Sequence, residues 1–143
     1  METRLLDQVQ VRLVITTRER ARFKRLMGKE HYLGWGQPVG ETLMYVAVSG
    51  RKWLALLTFG APAYALRDRD QWIQWTADQR QARLNFVVQN RRFLILDGIK
   101  EHNLASKILA LCSNRLAQDW ETTYGHPVLV METFVDPQRF EGT

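Results

Sequence analysis

Two runs, Thr42-Leu43-Met44-Tyr45-Val46-Ala47-Val48 and Trp53-Leu54-Ala55-Leu56-Leu57-Thr58-Phe59, are apolar at almost every position, with only Ser49-Gly50-Arg51-Lys52 between them. A strand that shows one face to water alternates apolar and polar residues, whereas a strand that is apolar throughout needs cover on both faces. The short break carries a glycine and two cations, so the pair reads as an antiparallel hairpin at the centre of a sheet. The rest of the chain must then cover that sheet on both sides.

The flanking residues supply the cover. Val9, Val11, Leu13 and Ile15 alternate along a strand over Val9–Ile15. Thr16 precedes Glu19 by three residues, a capping-box spacing, and predicts a helix to about Met27 that stops at Gly28 and buries Phe23, Leu26 and Met27. Four glycines and a proline make residues 28–41 a loop. A second capping box, Thr76 to Gln79, opens a short helix through about Arg83 after the tryptophan-rich stretch Asp70–Trp75. Phe86-Val87-Val88 and Arg92–Leu96 read as strands broken at Gln89-Asn90. The longest helix runs from about Asn103 to Tyr124, with a stripe of Leu104, Ile108, Leu111, Cys112, Leu116 and Trp120 and a stop at Gly125; a strand over Val128–Val135 follows. The last strand–helix–strand unit requires a parallel pair with a right-handed crossover. The expectation is an α/β fold, in the sense of an α+β mixed sheet, with the order β-α-β-β-(helical insertion)-β-α-β. At 143 residues the chain is one domain's length, so residues 1–143 are expected to form a single domain.

Composition removes several classes. With 45% hydrophobic and 24% charged residues the chain is neither disordered, collagenous nor coiled-coil. No stretch approaches the ~18 apolar residues of a membrane span, and METRLLDQVQ lacks an apolar signal core, so no membrane partner is expected. The single cysteine, Cys112, excludes a disulfide framework and a cysteine zinc site, and places the chain by default in a reducing cytoplasm. His31, His102 and His126 show no ligand spacing, so no metal is expected.

Charge is concentrated in one place. Residues 1–60 hold ten Lys and Arg against five Asp and Glu, residues 61–143 hold ten against ten, and six of the first ten lie between Arg18 and Lys29. Arg18, Arg22, Arg25 and Lys29 recur at spacings of four, three and four, which puts four cations on one helix face. Each like-charged pair at that spacing opposes the helix by a few tenths of a kcal/mol. DNA or RNA phosphates would offset the repulsion; a face that is simply solvated is the competing reading, and both stay open.

Other polar groups are weaker candidates. The turn Lys100-Glu101-His102-Asn103-Leu104-Ala105-Ser106 opens the long helix, where free N–H groups suit a phosphate, although Asn103 or Ser106 acting only as a cap is simpler. Glu132 and Asp136 lie four apart at a strand end, and desolvation would make either a base; structural carboxylates are the alternative. His31 is the remaining catalytic candidate, set against an ordinary loop histidine. Trp72 and Trp75 either stack on bases or pack in the core, and Asp119 is expected to face solvent. No reaction is assignable from these groups.

Two resemblances add to this reading. The element order resembles the Gcn5-related N-acyltransferases, whose Arg/Gln-x-x-Gly-x-Gly/Ala turn would set Lys100 at the Arg, Asn103 at the first glycine and Ala105 at the second. That likeness implies acetyl-CoA bound by Lys100, Asn103, Leu104, Ala105 and Ser106; otherwise no cofactor is required. Six stretches in order, His31-Tyr32-Leu33-Gly34, Arg69-Asp70-x-Trp72-Ile73-x-Trp75, Asn90-x-Arg92-Phe93-Leu94-Ile95-Leu96, Asn103-Leu104-Ala105-Ser106, Asp119-Trp120 and Glu132-Thr133-Phe134-Val135-Asp136, together resemble the bacterial family that includes the Druantia antiphage protein A and transposase-associated proteins of mobile elements. Gln74 stands where that family has a glycine. The resemblance implies phage defence or element mobility with DNA or RNA as partner. It also implies a following Cys-Tyr-x-Ala-Ala-Asn-Trp stretch, so the chain is expected to be truncated. An unfinished sheet edge would then allow a homodimer, and an inactive remnant is the blandest alternative.

Overall fold

The elements of the computed structural model, which describes residues 5–62 and 67–133, follow in order as α1 (Leu5–Gln8), β1 (Gln10–Leu13), α2 (Thr17–Glu30), β2 (Thr42–Ser49), β3 (Lys52–Gly60), α3 (Arg67–Ile73), α4 (Ala77–Arg83), β4 (Val87–Ile95), α5 (Leu104–Tyr124) and β5 (Val130–Glu132). The five strands form one mixed sheet in the order β1-β2-β3-β4-β5. Neighbours are antiparallel except β4 and β5, which are parallel on either side of α5. The fold is thus mixed α/β, with the all-apolar hairpin β2–β3 inside the sheet.

Each face of the hairpin has its own cover. On one side Leu43, Tyr45, Ala47, Leu57 and Phe59 pack with Leu104, Ile108, Cys112, Leu116 and Trp120, which recur every fourth residue along α5. On the other, Val46, Val48 and Leu56 pack with Phe23 and Met27 of α2. Each such side chain contributes roughly 1.5–3 kcal/mol on burial, far above the few tenths that helix propensity supplies. Burial pushes the Cys112 thiol up to about 12, so it is packing and not a nucleophile at neutral pH. Gly125 ends α5 at φ 78°, a conformation glycine adopts without a Cβ clash, and its N–H closes on the Glu121 carbonyl at 2.8 Å.

Several expectations are corrected. The break at Gln89-Asn90 is not a turn. Thr58 pairs with Arg92 and Phe59 with Asn90, so Arg91 is the extra residue of a β-bulge within one continuous strand. The buried Asn90 amide donates to the Thr58 carbonyl at 3.1 Å and the Arg92 carbonyl at 3.0 Å, satisfying acceptors that the disrupted ladder leaves over. α2 runs through Gly28 to Glu30. β1 ends at Leu13; Val14 turns into the α2 cluster and Ile15 is 68% exposed. Trp72 is 77% exposed, so Trp72 and Trp75 are no core pair. Asp119 does not face solvent: it accepts from Tyr45 at 2.7 Å and Arg115 at 2.6 Å, while Arg115 also donates to the Val11 carbonyl, lashing α5 to β1 and β2. The last strand is shorter than expected over its described part, and its tail with Asp136 lies outside the described residues. Among the described residues no helix is long and apolar enough to cross a membrane.

Candidate functional site

Thr16 starts α2 as expected, its hydroxyl accepting the Glu19 N–H at 3.1 Å. The reciprocal half of the box is absent because the Glu19 carboxylate takes two hydrogen bonds from Arg12, at 3.1 and 2.6 Å. Those bonds hold the Glu19 carboxyl below the usual range. At about 100° per residue, burial of Phe23 and Met27 turns Arg18, Arg22, Arg25 and Lys29 into an arc of roughly 60° on the opposite side. All four are exposed. Among the described residues none of them forms an ion pair. The helix's two acids are engaged elsewhere, Glu19 with Arg12 and Glu30 with the Asp97 N–H at 2.9 Å. Arg22 is the anchored member, its guanidinium 4.1 Å from the centre of the Trp53 ring at the start of β3. That contact brings the exposed Arg51 and Lys52 of the β2–β3 turn to the same region, two cations whose place sequence spacing did not reveal.

His31 ends α2, and its ring stacks on Tyr32 with centroids 4.7 Å apart and planes at 20°. Its Nδ1 accepts the Leu33 N–H at 3.0 Å. Burial, reinforced by Arg92, lowers its pKa, so the ring is neutral at pH 7. Arg92 donates to the Gly34 carbonyl at 3.1 Å and lies where a Cβ on Gly36 would be; Gly36, at φ 54°, gives it room. The stretches around His31 and Arg92 are therefore neighbours in space.

A second polar assembly sits at the parallel strand pair. Arg69 is 3.4 Å from both Glu132 and Asp70, with the Arg69 and Glu132 side chains only 4% and 7% exposed. Asp70 also binds Arg80 at 3.0 Å and the Trp75 indole at 2.8 Å. Next to it, Thr133 donates to the Asn90 carboxamide oxygen at 3.2 Å. Glu132 Oε1 is buried without a hydrogen-bond partner. Burial raises the Glu132 pKa, Arg69 opposes that rise and Asp70 adds to it. Such a carboxyl has the character of an acid–base group, but the cluster equally has the form of a structural ion network. Sequence reasoning singled out Glu132 and missed Arg69, Asp70 and Asn90 as its neighbours; the signal that was present was a polar Asn90 between two apolar strand segments. Among the described residues no group of three or more His, Cys, Asp or Glu is placed to hold a metal ion.

Lys100, Asn103, Leu104 and Ala105 line a cavity of about 280 Å³ with Ile95, Ile99, Glu101 and His102. Asn103 is left-handed at φ 65° and its side chain makes no capping bond, contrary to the simpler expectation. Ser106 does not line the cavity, and its hydroxyl is buried without a partner. The left-handed backbone fits the turn of a pyrophosphate site, whereas the Glu101 carboxyl in the same lining opposes an anion.

The fold and these assemblies define a mixed α/β protein with one exposed basic helix and one buried ionic cluster. Residues 4–143 match the family model described as Druantia protein DruA, and the chain belongs to that family. Membership associates it with antiphage defence. No curated protein and no solved structure matches the chain.

Proposed function

We propose that this chain is a nucleic-acid-associated module of an antiphage-defence protein, contacting phosphates through Arg18, Arg22, Arg25 and Lys29 without reading sequence. The observation that carries the reading is the arc of four exposed cations whose helix has both of its acids turned to other partners. A face that only needed solubility would place acids among the cations, since Glu–Lys or Glu–Arg neighbours add stability and like charges remove it. Binding titrations of the wild type and an Arg18→Glu/Arg25→Glu variant over a range of salt test it; these two are preferred to Arg22, whose contact with Trp53 ties it to packing.

A coenzyme-A-dependent N-acyltransferase is the second reading, favoured by the uncapped start of α5 and the cavity beside it. Lys100 and the N–H groups from Asn103 to Ser106 would hold the pyrophosphate, and the coenzyme would supply an activated acyl thioester. Calorimetry with acetyl-CoA tests this; no heat and no thermal shift at millimolar ligand would end it.

A further inference from the structure

We propose that Arg91 and Arg92 form a site for a terminal phosphoryl group, on the sheet face that α2 covers and past the end of that helix. Along a regular strand neighbouring side chains point to opposite faces, and the bulge at Arg91 brings these two to the same one. Arg92 pairs with Thr58, while the Arg91 Cδ lies 2.9 Å from where a Cβ on Gly60 would stand. Thr58 and Gly60 are two residues apart on β3, in step with Leu56, which packs with Phe23 and Met27 of α2. Backbone carbonyls hold both guanidinium groups in place. Arg91 donates to the Ala61 carbonyl at 3.0 Å, and Arg92 to those of Gly34 at 3.1 Å and Arg91 at 2.9 Å. Such bonds fix position without neutralising charge. Among the described residues neither guanidinium forms an ion pair, although Arg92 is half-buried. Burial and repulsion from Arg91 lower the Arg92 pKa, the mark of a cation without its counter-charge.

A partly desolvated cation costs free energy that an opposite charge offsets. The three carbonyl bonds leave most N–H donors of the two forks unused. Arg91 is exposed, so they are reached from solvent. A carboxylate fills one fork and brings one charge, whereas a terminal phosphoryl group brings three oxygens and about two negative charges, enough for both. The phosphorylated end of a strand and a free nucleotide both carry that group, and the test separates them. The α2 arc lies on the outer side of its helix, so this site stands whether or not that arc meets a polyanion.

The experiment uses the full 143-residue chain. Calorimetry is recorded with thymidine 5′-monophosphate, thymidine and inorganic phosphate, and fluorescence anisotropy with a thymidine oligonucleotide bearing either a 5′-phosphate or a 5′-hydroxyl. The expected result is that both phosphates bind and thymidine does not, with affinity falling about tenfold in Arg91→Gln at an unchanged melting temperature. Arg92→Lys, which keeps the charge and loses the fork, is expected to weaken binding as well. Saturation with phosphate should also raise the His31 pKa, followed by NMR, because the bound anion offsets the Arg92 charge that helps to lower it. Stronger binding of the 5′-phosphorylated strand supports the site with a strand end as its source; equal binding of the two strands beside a bound monophosphate supports it with a free nucleotide. Arg18→Glu/Arg25→Glu is expected to leave monophosphate binding intact, which separates this site from the α2 arc. No heat from either phosphate at millimolar concentration, heat unchanged by Arg91→Gln, or heat lost in Arg18→Glu/Arg25→Glu would overturn the site.

Discussion

The Nε of Arg69 lies 3.4 Å from the Glu132 carboxylate across 63 residues of chain, and both side chains are more than nine-tenths buried. One belongs to the helix inserted after the central hairpin and the other to the strand at the end of the sheet, so their meeting locks the insertion onto β5.

Breaking that pair from one side strands a charge. Arg69→Met leaves Glu132 without its cation and is expected to cost about 3 kcal/mol in urea denaturation. Arg69→Met/Glu132→Leu removes both charges and is expected to unfold at higher urea than Arg69→Met alone. Additive losses in the double variant would show that the two groups are not coupled.

Gln74 occupies φ 62°, at the residue that ends α3, and its N–H closes on the Asp70 carbonyl at 3.0 Å. A side chain in that region costs roughly 1 kcal/mol that glycine escapes. The resemblance had a glycine at this position, and the backbone supplies the reason. Gln74→Gly is expected to raise the melting temperature by about 3 °C, read by circular dichroism; an unchanged or lower value would show that the turn is not strained.

The stability profile near neutrality is expected to be limited by two histidines of opposite sign. The Glu41 carboxylate, 3.0 Å from His126 Nε2 at its second oxygen, raises the His126 pKa. The stabilisation is complete below about pH 6.5 and is lost as pH rises through the higher folded value. His31, lowered by burial, contributes above about pH 6.5 and loses its contribution as pH falls through its lower folded value. His126→Gln should flatten the alkaline limb and His31→Gln the acid limb when urea midpoints are measured from pH 5 to 8.5. A shared effect of both variants on one limb would contradict this assignment.

Much of the fold was legible because its signals are local. The apolar runs around Ser49–Lys52, the Thr76–Gln79 box and the Gly125 stop each act within a few residues, and the parallel pair β4–β5 follows from a helix too long to connect anything else. The bulge at Arg91 was not legible: Gln89-Asn90-Arg91 has the polarity of a turn, and only the Asn90 amide reaching two carbonyls keeps the strand continuous. Asp119 misled for a related reason, since its partner Tyr45, and the Val11 carbonyl that its other partner Arg115 reaches, are remote in sequence. At the candidate sites the α2 arc could be read from spacing alone, because one helix sets it. The Arg69–Glu132 cluster and the His31–Arg92 neighbourhood needed contacts between distant segments, which no periodicity encodes.

The most direct test of the central claim is the slope of log affinity against log salt for single-stranded DNA. Four phosphate contacts predict a slope of about −3 for the wild type and one shallower by roughly 1.5 in Arg18→Glu/Arg25→Glu, with affinity falling at every salt concentration. Identical slopes and affinities for the two proteins would contradict it, leaving the outer face of α2 as surface that merely faces water.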